Sequence, residues 1–298
     1  MSENPLFDIT IVTYNSVDTV ENAINAHKDF PFLGRIIVVD HGNDGSDKLA
    51  RDLGTVVIKN TKNPGFGSGQ NQAVAESDTP YILMLNPDAV VKEESFLEGL
   101  QYLQENEDVA LIQGVISNTE NRKIERSRGI NISLVHLYGR ALGLKRLLRF
   151  KIVRMIGTRV SLLRDHVNRI PIEIEYCQSI SFVAVLLRRR AFDEVGGFDT
   201  SFFMYGEDMD LCQRLTLNGW KLVSMPNYWA KHIGGHSTES ELNFELLWWE
   251  GTLHYCNKWW NKPKTILSFG ARLIEFCKLV ILYKAPVKRI WKAIMNFN

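Results

Sequence analysis

Tyr81-Ile82-Leu83-Met84-Leu85-Asn86-Pro87-Asp88-Ala89 is the stretch whose reading decides the fold. A short, continuous apolar run bounded by a turn signal reads as a buried strand. Pro87 has no N–H to give to a ladder and stops the strand, which leaves Asp88 at its carboxyl end. In open α/β sheets ligands bind at that edge. A carboxylate there is a candidate for holding a metal and a phosphate. The alternative is a plain turn, since Asn-Pro-Asp is good turn chemistry.

Upstream, the chain alternates strand and helix. Asp8–Thr13, Arg35–Asp40 and Thr55–Lys59 are strand-like runs. Ser16 is placed to cap a helix reaching about Lys28. Further helices are expected from about Ser68 to Ser77 and from Glu93 to Asn106. This rhythm predicts a mostly parallel sheet flanked by helices, with right-handed crossovers. Each strand runs into a polar loop: Thr13-Tyr14-Asn15, Asp40, Asn63 to Asn71, and Asn86-Pro87-Asp88. In a parallel sheet all four loops gather on one edge, which favours a nucleotide-type pocket over four unrelated turns. Asp40 can accept hydrogen bonds from a base or ribose, or act as a turn residue before Asn43-Asp44-Gly45. Gly65, Gly67 and Gly69 form G-x-G-x-G, which is neither the dinucleotide-binding nor the Walker pattern. Such glycines let backbone approach a diphosphate at a helix start, or make a flexible connector.

Residues 119–172 break the rhythm. Arg122, Lys123, Arg126, Arg128, Arg140, Lys145 and further basic residues to Arg164 face Glu125 as the single acid of that span. Interleaved Leu134, Leu137, Leu142, Leu147 and Ile152 predict basic amphipathic helices, suited to an anionic membrane, a phosphate-rich ligand or a lid, or a solvated helical insertion. Ser179–Leu187 is an apolar run expected to be a central strand. A helix should start near Gly206, with Glu207, Asp208 and Asp210 in its first turn. Acids are favoured there by the helix dipole, and they could equally form one wall of a cleft. Trp220–Met225 reads as a strand. His232 and His236 lie in a glycine-containing segment expected to be a loop, and are candidate metal ligands or ordinary hydrogen-bonded histidines. From Glu239 the chain reads as helical, with Trp248, Trp249, Trp259, Trp260 and Trp291 among many basic residues. That pattern suits helices lying in a membrane surface. The alternatives are a helical cap or a homodimer interface.

Bulk properties exclude several classes. A net charge of +1 over 298 residues does not suit a nucleic-acid binder. Four widely spaced cysteines, none in a Cys-x-x-Cys pair, fit neither a structural zinc site nor a disulfide scaffold, and suggest a reducing, cytoplasmic compartment. The N-terminus lacks a basic n-region, so no signal peptide is expected. Arg272, Glu275 and Lys278 break the C-terminal apolar stretch, so no spanning helix is expected.

Over roughly residues 7–240 the chain resembles the inverting nucleotide-sugar glycosyltransferases of family 2, with the GT-A fold. The resemblance rests on Thr13-Tyr14-Asn15, Val39-Asp40, Asn63-Pro64-Gly65-Phe66-Gly67 with Asn71, Asn86-Pro87-Asp88, Gly196-Gly197-Phe198-Asp199, Gly206-Glu207-Asp208-Met209-Asp210 with Arg214, and His232. Within the family it is similar to rhamnosyltransferase-like enzymes of bacterial polysaccharide and O-antigen synthesis. The resemblance implies a catalytic domain over 1–240, divided into a donor-binding half (1–118), the basic insertion (119–172) and an acceptor half (173–240), followed by a membrane-associating region over 241–298. It implies that Thr13, Tyr14, Asn15, Asp40, Asn63, Gly65, Gly67, Asn71, Asn86 and Asp88 bind the donor. Asp88 and His232 would hold Mg²⁺ or Mn²⁺, and Asp208 would be the general base with Glu207 beside it. The family's metal motif is commonly Asp-x-Asp. Asn86 stands at the first position here, and an amide is a weaker ligand than a carboxylate. The implied reaction moves a sugar, rhamnose from dTDP-rhamnose foremost, to a hydroxyl of a lipid-linked glycan on the inner face of the cell membrane. A non-catalytic sugar-binding module and a nucleotidyltransferase are the other classes weighed.

Overall fold

The computed structural model describes residues 4–118, 124–125, 132–143, 171–232, 240–283 and 286–295. Described residues within 1–129, 169–203 and 207–237 form one compact unit, and those within 130–168, 204–206 and 238–298 form a second. Most of the basic insertion, including Arg122, Lys123, Arg126, Arg128 and Lys145 to Arg164, lies outside the described residues, as does His236.

The first unit is built on β1 (Phe7–Thr13), β2 (Leu33–Asp40), β3 (Val56–Lys59) and β4 (Tyr81–Leu85), which run in the order β3-β2-β1-β4 with every pairing parallel. Helices α1 (Val17–His27), α2 (Ser46–Asp52) and α3 (Phe66–Glu76) make the crossovers. The sheet continues through β9 (Ala184–Arg188), β6 (Val109–Asn118), β10 (Lys221–His232) and β5 (Ala89–Val91). β9 is antiparallel to both neighbours and central as expected, but it begins at Ala184, and the 179–183 part of the apolar run is not strand. β7 (Ile124–Glu125) pairs with β6, and β8 (Glu175–Cys177) with β10.

Two sequence expectations are corrected. The Ser16 side chain makes no cap bond. Asp44, from the loop after β2, accepts from Val17 N–H at 2.8 Å instead, so the anionic cap of α1 comes from outside its own segment. The Trp220–Met225 strand extends to His232, because its later residues pair with β6 on one side and β5 on the other. His232 therefore sits at a strand end rather than in a loop.

β5 is only three residues long and is held by what surrounds it. After Pro87 the chain turns, with Ala89 N–H donating to Asn86 O at 3.1 Å. Val91 N–H then donates to Nε2 of buried His27 at 2.9 Å, while Nδ1 of that ring lies 2.6 Å from Ala23 O. Burial holds the His27 pKa below its usual value, so the ring is neutral and can accept from Val91. α4 (Glu93–Glu105) follows and packs on Trp229, whose buried indole donates to Ala184 O at 2.9 Å.

The same unit contains α6 (Arg189–Glu194) and α7 (Glu207–Leu217). The second unit consists of α5 (Leu134–Ala141), α8 (Glu241–Trp259), α9 (Lys262–Leu267), α10 (Phe269–Tyr283) and α11 (Val287–Met295). The described helix of the insertion therefore groups with the C-terminal helices. Arg140 pairs with Glu245 at 2.6 Å and stacks 3.9 Å over Trp248. α10 buries Ala271, Arg272, Glu275 and Leu279, while Leu273, Ile281 and Leu282 face out. Among the described residues no helix is long and apolar enough to cross a membrane.

Gly251 lets α8 pass directly over the backbone at 204–205: a Cβ there would strike the Tyr205 and Met204 carbonyl oxygens. Backbone cannot move aside as a side chain can. Gly251→Ala is therefore expected to cost about 3 kcal/mol, read as a Tm lower by roughly 8 °C.

Candidate active site

The carboxyl edge of the parallel strands brings the predicted loops together. Thr13 and Asp40 are in register at the ends of β1 and β2. The Thr13 hydroxyl donates to Asp40 Oδ1 at 2.8 Å, and Gly42 N–H donates to the same oxygen at 3.0 Å. Lys59, opposite Asp40 at the end of β3, holds Oδ2 at 2.5 Å and also bonds Gly42 O. Asp40 is fully buried. Its carboxylate is turned inward onto these protein donors. Lys59 was missed from sequence. The signal available was its place as the last residue of a strand predicted to run parallel to the one ending in Asp40. Tyr14 is exposed beside them, and Asn15 adopts a left-handed φ of 52° with its side chain accepting from Asn43 N–H at 3.3 Å.

The glycine loop is packed rather than open. Gly65 precedes α3 at φ 98°, and its Cβ position is filled by the Phe203 backbone. Phe198 Cβ lies 2.9 Å from the Cβ position of Gly67, and His41 Nε2 lies 2.7 Å from that of Gly69. The missing side chains make room for protein, so this loop is packed rather than a flexible connector. Asn63 Oδ1 accepts from Gly65 N–H at 2.9 Å and shapes the turn. Asn71 donates to Phe198 O at 2.9 Å and accepts from Phe198 N–H at 2.8 Å, so its amide joins α3 to the Gly196-Gly197-Phe198 segment.

Asp88 lies just before β5 and is buried to 7% exposure. Antiparallel pairing of β5 with β10 sets His232 opposite Ala89, which puts His232 Nε2 3.1 Å from Asp88 Oδ1. A carboxylate oxygen and an imidazole nitrogen from distant parts of the chain thus meet at one point. Among the described residues no cluster of three or more His, Cys, Asp or Glu side chains could hold a metal. Two protein ligands nevertheless suit Mg²⁺ or Mn²⁺, which usually take one or two carboxylates and complete their shell with water and substrate phosphate. Asn86 N–H donates to Val183 O at 2.8 Å and fixes the turn.

The three acids at the start of α7 divide their roles. Asp210 is fully buried and pairs with Arg214 at 2.8 Å; Arg214 also donates to Val195 O and Gly197 O, so the pair pins the glycine turn. Glu207 is buried, and its Oε2 has no hydrogen-bond partner among the described residues. Burial, reinforced by the adjacent Asp208 charge, pushes its carboxyl up to about 8. Asp208 is half-buried, with Oδ1 accepting from Met209 N–H at 2.8 Å. At neutral pH Glu207 is thus mainly a neutral acid.

A raised carboxyl pKa means that the folded state binds the proton more tightly than the unfolded chain. Stability from this group is full below about 4.5 and declines as pH rises through about 8. Glu207→Gln should remove that slope. Its Tm relative to the parent is expected to rise by about 3 °C per pH unit across the window, measured by thermal melts from pH 4.5 to 8.5.

A mixed α/β sheet with polar loops gathered at its carboxyl edge, acids at Asp88 and Asp208, and flanking helices is the architecture of GT-A glycosyltransferases. Comparison with solved structures agrees. A mannosyltransferase from Pyrobaculum calidifontis, solved in complex with GDP-Man and Mn²⁺, superimposes with a TM-score of 0.58 over 98% of this chain and 79% of its own, at 12% identity. The chain belongs to glycosyl transferase family 2, whose sequence profile matches residues 8–167. A second profile, the N-terminal domain of galactosyltransferase, matches residues 164–237. Rhamnosyltransferase WbbL of Escherichia coli (strain K12) is 29% identical over 195 residues, covering 62% of this chain and 66% of WbbL, just under two-thirds of that protein. The O-antigen chain rhamnosyltransferase WbaN of Salmonella anatum is 21% identical over 262 residues, covering 86% of this chain and 74% of WbaN.

Proposed function

We propose that the protein is an inverting glycosyltransferase. In this reading it moves a sugar, rhamnose from dTDP-rhamnose foremost, to a hydroxyl of a lipid-linked glycan in cell-surface polysaccharide synthesis. The observation that carries the proposal is the Asp88–His232 pair, 3.1 Å apart at the carboxyl edge of the sheet. Asp208, beside neutral Glu207, lies in the same unit. The names of WbbL and WbaN support the choice of sugar and product class.

The donor would lie along the edge defined by Thr13, Tyr14, Asn15 and Asn86. Asp40 and Lys59 would keep that edge in shape rather than touch the donor. Asn63, Gly65, Gly67 and Asn71 would act through α3, by holding its first turn against Phe198 and Phe203. Asp88 and His232 would hold a divalent cation, whose chemistry when bound is to neutralise charge on the departing nucleoside diphosphate, an effect of several kcal/mol. Asp208 would take the proton from the acceptor hydroxyl as that oxygen attacks the anomeric carbon from the face opposite the leaving group. General-base assistance of this kind typically contributes 10²–10⁴-fold. Direct attack with a single base gives inversion. Glu207 keeps the second carboxyl neutral, so the base is not part of a doubly charged pair.

We further place the protein on the inner face of the membrane. Ile266, Leu267, Phe269 and Trp291 are exposed beside Lys262, Lys264, Lys288 and Lys292. Apolar insertion combined with basic residues suits an anionic lipid surface, at about 1 kcal/mol per cation.

The deciding experiment is a binding screen of nucleotide sugars with and without Mn²⁺. Metal-dependent binding of dTDP-rhamnose in preference to UDP- and GDP-sugars supports the donor. Preference for another base would overturn it, and no binding of any nucleotide sugar would overturn the transferase reading.

A further inference from the structure

β5 ends the sheet, and the Asp88–His232 pair depends on it. Its inner edge pairs with β10, which sets Ala89 opposite His232 and Val91 opposite Ala230. Among the described residues no strand covers its outer edge. Ala89 and Val91 are both buried, so their outward N–H groups need partners within the protein. Ala89 N–H donates to Asn86 O at 3.1 Å, and Val91 N–H donates to His27 Nε2 at 2.9 Å. His27 thus stands where the carbonyl of a further strand would stand.

His27 is fully buried at the end of α1, edge-on to Phe30 with ring centroids 4.9 Å apart. Packing alone would favour an aliphatic side chain there, which has no polar atoms to desolvate. Both ring nitrogens are instead engaged. The Ala23 carbonyl, 2.6 Å from Nδ1, can only accept, and the Val91 N–H can only donate. The proton is therefore on Nδ1, and the lone pair of Nε2 faces β5.

A pairing of three residues does not defend its own register. N–H directions alternate along a strand. A slip of one residue would turn Val91 N–H toward β10 and move Ala89 away from His232. His27 can accept from Val91 only in the observed register, which is the one that brings Asp88 Oδ1 and His232 Nε2 within 3.1 Å. We propose that His27 is a positioning residue for sugar transfer: it locks β5 in register on β10 and so keeps Asp88 against His232. The inference rests on the reading of that pair as the holder of a divalent cation on the donor diphosphate.

The test compares two full-length variants. His27→Leu keeps an apolar bulk and has no acceptor, whereas His27→Gln carries a side-chain carbonyl that can take the Val91 N–H. Asp88→Ala is run beside them. Mn²⁺-dependent binding of dTDP, UDP and GDP is measured by titration calorimetry well below each variant's Tm. His27→Leu is expected to lose about tenfold in affinity for the nucleotide that the parent binds most tightly, the lower end of what loss of a supporting partner behind a metal ligand costs. His27→Gln should recover most of that loss. Amide hydrogen exchange at Val91 should quicken in His27→Leu and stay slow in His27→Gln. Parent-like affinity in His27→Leu, with Asp88→Ala weakened, would overturn the positioning role. So would equal losses in His27→Leu and His27→Gln, which mark a role in packing alone. If Asp88→Ala also binds like the parent, the cation reading itself has failed, and the positioning role falls with it. Imidazole nitrogen chemical shifts of the parent give a check that needs no variant: a proton on Nε2 in place of Nδ1 would overturn the proposal.

Discussion

Asp208→Asn is expected to lower kcat by about 10²–10⁴-fold while leaving nucleotide-sugar binding within a few-fold of the parent. The substitution keeps the shape of the side chain. An asparagine carbonyl can still accept from Met209 N–H, the bond that holds Oδ1 at 2.8 Å. What disappears is the ionised oxygen that takes the acceptor proton. Glu207 is a poor substitute, because its burial, the larger of the two causes that raise its carboxyl, persists in the variant. A second readout separates loss of a base from loss of fold. Removing the Asp208 charge removes one of the two causes that raise Glu207, so the pH window over which stability declines should end at lower pH in the variant. Normal turnover in Asp208→Asn would refute the base assignment.

Asp88→Ala should lower kcat/KM by roughly two to three powers of ten, the rate equivalent of several kcal/mol of charge neutralisation. The loss should appear mainly as weaker Mn²⁺-dependent donor binding, followed by titration calorimetry with and without metal. Asp88→Asn keeps the volume and should do nearly the same, because the charge is what the diphosphate requires. His232→Ala should move the same readouts in the same direction but less, since a neutral imidazole contributes a dipole where Asp88 contributes a full charge. If all three variants bind donor like the parent and keep its metal response, the pair at 3.1 Å is an internal contact and no metal site.

The parts of the fold legible in the sequence were those with local causes. The first four strands are short apolar runs ended by polar or proline-containing loops, and their bounds agree with the pattern to within about two residues. β6 was not legible. Gln113 and Gly114 interrupt its apolar run, and Gln113 is tolerated only because its amide donates to Ser181 O and Ala184 O at 2.6 and 3.0 Å. β5 has three residues and no periodicity to read; it exists because β10 and His27 satisfy its backbone. Which face of α10 turns inward was not legible for a related reason. A helix pattern locates apolar and charged faces, but neighbours such as Arg140 and the Ile294 carbonyl, which accepts from Arg272 at 2.6 Å, decide which face turns in.

The sequence by itself determined which residues stand at strand ends, because short-range apolar patterning and turn chemistry end a strand without help from elsewhere. That places Thr13, Asp40, Lys59, Asn86 and Asp88 on one edge once the strands are parallel. Tertiary structure alone decided what those groups are available to do. The carboxylate of Asp40 is satisfied by Thr13, Gly42 and Lys59, whereas Asp88 meets His232 through the register of two antiparallel strands. Burial of Glu207, reinforced by the Asp208 charge beside it, pushes its carboxyl up to about 8. Register and desolvation depend on segments far apart in the chain, and no local stretch of sequence carries them.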